Sequence, residues 1–242
     1  MSKIWTICKR EFASYFDSLI AYVMLIFFLG LSGYLTWLFG NNVFMIGQAD
    51  LGVFFDFAAY WSLFLFIPAV TMQSLAEETK SGTIELLSTK AVSDWEIVVG
   101  KFSAALLLVI IGLLCTLPYY ITVSFLGDVD HGGIIGGYFG LVFLSASYIS
   151  IGIFASSLTS NQIVAFLLGL LIILFFHLIF MLLSFSFTGV VGGVFNFLSM
   201  KSHYDSISRG VFDSRDLIFF ITIILLGLTM AQAMLSKRNW QA

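Results

Sequence analysis

Long apolar stretches separated by short polar ones set the pattern of this chain. No Lys, Arg, Asp or Glu occurs from Leu19 to Gly40 or from Phe57 to Ala76, and a third apolar run extends from Phe102 to Gly127. Between Gly132 and Met200 the only Lys, Arg, Asp, Glu or His is His177, and that stretch is too long for one bilayer crossing of about 20 residues. The polar string Ser156-Ser157-Leu158-Thr159-Ser160-Asn161-Gln162 divides it into a fourth run at 134–155 and a fifth at 163–187, and a sixth covers 217–235. Lipid offers no partners for backbone N–H and C=O groups, so such runs must be helices. The pattern predicts an all-α integral membrane protein with six transmembrane helices.

The segments outside these runs have their own periodicity. Ile4, Trp5, Cys8, Phe12, Tyr15 and Phe16 recur at helical spacing, with Lys3, Lys9, Arg10 and Glu11 mostly elsewhere on the wheel. This predicts an amphipathic interfacial helix over 1–18, with Trp5, Lys9, Arg10 and Phe12 at the lipid surface, and it lacks the layout of a cleavable signal peptide. The stretch 188–200 is apolar and punctuated by Gly189, Gly192 and Gly193, which suits a re-entrant segment better than a seventh crossing. The balanced charges from Lys201 to Asp216 then read as a structured cap, with Tyr204, Arg209, Gly210, Asp213 and Arg215 as candidate cap residues.

Composition agrees with the pattern: 60% of the 242 residues are hydrophobic, 10% are charged and 27 are Phe, a balance that excludes a soluble domain. Of the 11 basic residues, Lys3, Lys9, Arg10, Lys80, Lys90, Lys101, Lys237 and Arg238 fall on the side of the termini, and Lys201, Arg209 and Arg215 on the other. The excess of positive charge places both termini in the cytoplasm. Cys8 and Cys115, the two cysteines, are expected to be reduced and unpaired.

Enzymatic chemistry is missing. There is no GxxxxGK[ST] loop, HExxH helix or Gly-x-Ser-x-Gly elbow, so no catalytic, cofactor-binding or metal site is assigned, and no nucleic-acid partner. His177 is the one intramembrane ionisable side chain of this kind, a functional candidate by default, but without an intramembrane carboxylate it has no relay partner and reads as a structural hydrogen-bonding group. Gly132, Gly136 and Gly140 line one helix face, which predicts close helix packing inside the chain or between copies. Pro68 and Pro118 are expected to kink their helices.

The most informative segment is the charged island Glu77-Glu78-Thr79-Lys80-Ser81-Gly82-Thr83-Ile84-Glu85-Leu86-Leu87 between the second and third runs. Ser93-Asp94-Trp95-Glu96 follows as a capping box that starts the third helix, and Ser74-Leu75-Ala76-Glu77 offers the same pattern upstream. The island resembles the E-E-x-x-x-G-T-x-E-L-L coupling segment of type-2 ABC exporter permeases. The strings Leu19-Ile20-Ala21-Tyr22, Phe66-Ile67-Pro68-Ala69-Val70-Thr71-Met72, Ser160-Asn161-Gln162-Ile163-Val164-Ala165-Phe166 and His203 to Val211 are similar to the gliding-motility-associated branch of that family.

The resemblance implies a six-span permease domain over 19–242, with a cytoplasmic coupling helix in the segment 77–96 and an outer re-entrant segment and cap over 188–216. It implies a multi-pass protein of the bacterial cytoplasmic membrane that works as a dimer with a second copy or a related subunit. Each copy would dock on a separate cytoplasmic ABC ATPase that carries ATP and Mg, with a periplasmic accessory subunit as a further candidate partner. Glu77, Glu78, Gly82, Thr83, Glu85 and Leu86 are the coupling candidates: Glu78 and Glu85 for polar docking, Gly82 for the turn. Two other classes stay open: a self-contained secondary transporter or channel, which would call for intramembrane charges, and a membrane scaffold, which would not depend on ATP.

Overall fold

The computed structural model describes residues 3–39, 43–47, 49–82 and 92–239. Its helices are α1 (Lys3–Asp17), α2 (Leu19–Trp37), a short α3 (Val43–Ile46), α4 (Ala59–Thr71), α5 (Ala76–Ser81), α6 (Asp94–Leu114), α7 (Leu117–Leu126), α8 (His131–Ser157), α9 (Gln162–Leu174), α10 (Phe180–Ser186), α11 (Gly189–Leu198), α12 (Met200–Ser208) and α13 (Ser214–Asn239). No strand occurs among the described residues. Among the described residues, five helical stretches are long and apolar enough to cross a bilayer: Phe54–Ser81, Asp94–Leu126, His131–Ser157, Gln162–Ser186 and Ser214–Lys237. The remaining predicted run is α2, which meets the amphipathic α1 at a bend of 75°.

Helix α8 is the hub, packed by α4, α6, α9, α12 and α13. Its apolar window is 78% buried, against 22% for Gln162–Ser186 and 28% for Ser214–Lys237. Small residues explain the difference, because helices in lipid associate by close backbone approach rather than by a hydrophobic driving force. A β-carbon on Gly137 would meet the Phe55 ring at 2.7 Å, one on Gly152 would collide with Thr71, and Gly227 of α13 gives the same intimacy toward Ser150. Two serines of α8 satisfy themselves locally: Ser147 donates to the Phe143 carbonyl at 3.1 Å and Ser150 to the Ser147 carbonyl at 2.8 Å.

Two π-helical turns interrupt the crossings, at Phe54–Ala58 before α4 and Phe175–Ile179 between α9 and α10. The second rotates His177 into the interior, where it is 1% exposed, shares a 2.5 Å hydrogen bond with the Tyr148 hydroxyl and lies 4.1 Å from the Tyr60 ring. This is the structural arrangement expected of a lone intramembrane histidine. Pro68 sits inside α4, three residues before its end. Near Pro118 the third crossing is interrupted: α6 stops at Leu114, and Pro118 occupies the first turn of α7, where a missing N–H costs nothing.

At the His131 end of α8 the chain forms a cap. The apolar stretch 188–200 becomes α11, which doubles back on α10 with Phe195 against Phe180 and Phe187. Helix α12 then crosses the glycine face of α8. A β-carbon on Gly136 would lie 2.5 Å from the Ile207 carbonyl, and one on Gly140 would lie 3.1 Å from the Tyr204 ring. Gly136 and Gly140 therefore serve packing within the chain, whereas Gly132 is exposed. Tyr204 is fully buried and donates to the Phe55 carbonyl at 2.8 Å. Gly210, at φ +81°, makes the turn after α12 against the backbone of Gly132 and Gly133. Arg209 donates from Nε to the Asp205 carbonyl, Asp213 accepts from the Arg215 amide, and the Arg215 side chain stays exposed.

Candidate functional site

The opposite end of α8 holds the densest cluster of charge. Lys101 enters it from α6, two turns past a complete capping box in which Ser93 Oγ accepts from the Glu96 amide and Glu96 returns to the Ser93 amide at 2.9 Å. The Lys101 side chain is only 2% exposed, and its ammonium sits 3.0 Å from Glu11 of α1 and 2.9 Å from Glu78 of α5. Arg10 closes the group from outside, 2.8 Å from Glu11 and 3.6 Å from Glu78. Three helices distant in sequence are thus joined through one buried cation. Such an arrangement persists only when both carboxylates are in place, because an uncompensated buried charge is costly.

Local structure aims each side chain. Helix α1 lies along α6, with Ile7 packed so closely on Gly100 that a β-carbon there would sit 2.7 Å away, and this seats Glu11 over Lys101. Burial alone raises the Glu11 carboxyl, but Lys101 and Arg10 outweigh it and hold the group below its ordinary value. Trp5 and Lys9 face outward, and Phe12 stacks on Phe16 at 5.1 Å. Helix α5 begins without the predicted Ser74 cap. The Leu75 and Ala76 amides donate instead to Ser156 Oγ of α8, both at 3.0 Å, and Ser156 donates in turn to the Met72 carbonyl. The helix ends at Gly82, whose φ of +71° is the left-handed C-cap that glycine adopts without penalty.

Of the predicted coupling residues, Glu77 and Gly82 lie on the exposed surface of this end, while Glu78 turns inward to Lys101. Thr83, Glu85 and Leu86 fall outside the described residues. The Lys101 cluster was not singled out from sequence; its signal was the one basic residue of a helix that is apolar beyond its acidic first turn. A polar cavity of about 500 Å³ opens beside the cluster, lined by Arg10, Glu11, Glu77, Glu78 and Lys101 together with Ser74. No group of His, Cys, Asp or Glu among the described residues has the arrangement of a metal site.

Five apolar helical stretches long enough to cross a bilayer, packed around α8 with a charged corner at its Ser157 end, define a polytopic membrane-embedded bundle among the described residues. A family profile described as ABC-2 family transporter protein matches residues 47–235, and the chain belongs to that family. It is accordingly a multi-pass membrane protein and a permease subunit of an ABC transporter, and membership of this family implies a cytoplasmic ABC ATPase as partner. A search of curated proteins returned no match.

Proposed function

We propose that this permease is the dimerising, membrane-spanning half of a type-2 ABC exporter of the gliding-motility-associated kind, set in the bacterial cytoplasmic membrane with both termini inside. Its coupling element is the segment 77–96, seated on the cytoplasmic ATPase together with α1. ATP and Mg act on that partner, and a periplasmic subunit completes the export path beyond the α11–α12 cap. The observation that carries this reading is the buried Lys101, which ties α1, α5 and the crossing helix α6 into one body. A push on α5 by a closing ATPase pair therefore moves a crossing helix directly instead of deforming a loop, which is the differential contact that coupling requires.

The test is affinity purification of the tagged chain from its native membrane in mild detergent, with mass spectrometry and an ATPase assay, beside the variant Glu85→Arg. The expected result is co-purification of a Walker-motif ATPase that the variant loses or uncouples. Recovery without any ATPase in several detergents would return the chain to a self-contained transporter or a scaffold.

A further inference from the structure

The polar cavity beside the Lys101 cluster has a charge balance that points to an occupant. Its wall carries three carboxylates, Glu11, Glu77 and Glu78, against two cations, Arg10 and Lys101. The two cations are satisfied by Glu11 and Glu78. Glu77, exposed at the rim, has no ion-pair partner among the described residues and leaves the cavity one negative charge in excess. Its lining is otherwise rich in neutral hydrogen-bonding groups, from Ser14, Ser18, Gln73 and Ser81. Ser74 in the same wall is buried, and its Oγ has no hydrogen-bond partner among the described residues, an arrangement that costs free energy.

We infer that this cavity is a socket for a basic side chain, arginine or lysine, of the cytoplasmic ATPase. The inference rests on the coupling role proposed above and adds the chemistry of the contact. An anion is disfavoured by the excess carboxylate. A guanidinium or ammonium finds one surplus carboxylate and several oxygen acceptors, the set that a planar or rotating cluster of N–H donors uses fully. The rim is continuous with Ser81 and the exposed end of α5, so a partner surface seated on the coupling helix lies within side-chain reach. Such a plug stands between α1 and α5 and engages both halves of the seat at once.

The experiment uses the complex as purified from its own membrane. A benzoylphenylalanine photoprobe is placed at Ser14 on the rim, and affinity for the ATPase is measured for the native chain and for Glu77→Gln at low and high salt. The expected outcome is a cross-link to an ATPase peptide containing Arg or Lys, with about tenfold weaker binding by Glu77→Gln at low salt that converges with the native value at high salt. The variant should melt at the native temperature, since the Glu77 side chain makes no ion pair among the described residues and its backbone bonds are unchanged by the substitution. An ATPase that co-purifies while the probe labels only lipid, or whose affinity is unchanged by Glu77→Gln, overturns the socket and leaves the permease reading intact. Absence of any ATPase from the native complex overturns both.

Discussion

The two ends of α8 are built from opposite materials. At the Ser157 end the contacts are ionic and come from far apart in sequence: Glu11, Glu78 and Lys101, with Ser156 capping α5. At the His131 end the contacts to α8 itself are steric, with Gly136, Gly137 and Gly140 letting Ile207, Phe55 and Tyr204 approach, while Tyr204 donates to the Phe55 carbonyl and a buried His203–Asp216 pair joins α12 to α13. Even the lysines differ. Lys101 is enclosed by two carboxylates, while Lys201 has one, Asp205 on its own helix, and lies over the Tyr60 and Tyr204 rings at 5.3 and 5.5 Å. A charge-built joint weakens when one member is removed, because the survivors are left buried with less opposite charge beside them. A steric joint fails when something is added.

The largest effect should therefore come from Lys101→Met. Taking away the cation leaves Glu11 and Glu78 facing each other with only the half-exposed Arg10 to offset them, and breaking a buried ion pair this way costs up to about 3–5 kcal/mol. Thermal unfolding in detergent should show a markedly lower midpoint. Adding Glu11→Gln and Glu78→Gln to the same chain should recover much of the loss, since uncharged replacements of a buried ionic cluster are nearly neutral. A triple variant as unstable as Lys101→Met would show that packing of the lysine stem, not charge, holds the corner.

Gly136→Val tests the other end. Its β-carbon would stand 2.5 Å from the Ile207 carbonyl and 2.8 Å from the Gly210 Cα, both backbone atoms that have no rotamer to give. Overpacking of this kind costs about 1–3 kcal/mol, and it should detach α12 while leaving the Lys101 corner formed. Limited proteolysis resolves the two: new cleavage is expected at 199–213 and none near 77–82. Cleavage at both ends would mean that α8 transmits the disturbance along its length of about 40 Å, from 27 residues at a 1.5 Å rise.

These contrasts mark what could be read before the structure was in hand. The crossings, the amphipathic α1, the Ser93 box and the left-handed Gly82 were legible because each is a local property: a run, a period, a cap, a turn. Lys101 was visible only as a stray charge, because its partners lie 23 and 90 residues away and spacing carries no information about them. The Ser74 pattern misled for the same reason. A capping box is written in four residues, but here Ser156, from 80 residues downstream, reached the Ala76 amide first. Nor does periodicity foretell a π-helical turn, so the inward rotation of His177 could not be derived from its neighbours.

A smaller and local effect is expected at the start of α6. Ser93→Ala removes the acceptor for the Glu96 amide and one half of the reciprocal box, worth about 1 kcal/mol. The loss should appear as faster amide exchange over residues 94–97, with the glycine face of α8 unchanged. If exchange also rises around Glu11 and Glu78, the cap is holding Lys101 in place as well as starting its helix.

Acid separates the two ends most gently. The Glu11 carboxyl, though burial opposes it, is held below its ordinary value by Lys101 and Arg10, so the folded chain binds a proton there less readily than the unfolded chain. The stability from this group is complete above the ordinary carboxylate range and is lost as pH falls through that range toward the lowered folded value. No change is due between neutral pH and about pH 5, and the loss below that should vanish in Glu11→Gln, whose side chain has no proton to take up. The Gly136–Ile207–Tyr204 contact contains no carboxylate, and the Lys201–Asp205 and His203–Asp216 pairs beside it do not involve Glu11, so proteolysis at 199–213 should not follow the Glu11-dependent acid curve. If it does, and Glu11→Gln abolishes it there too, the two ends of α8 are one cooperative unit despite their different construction.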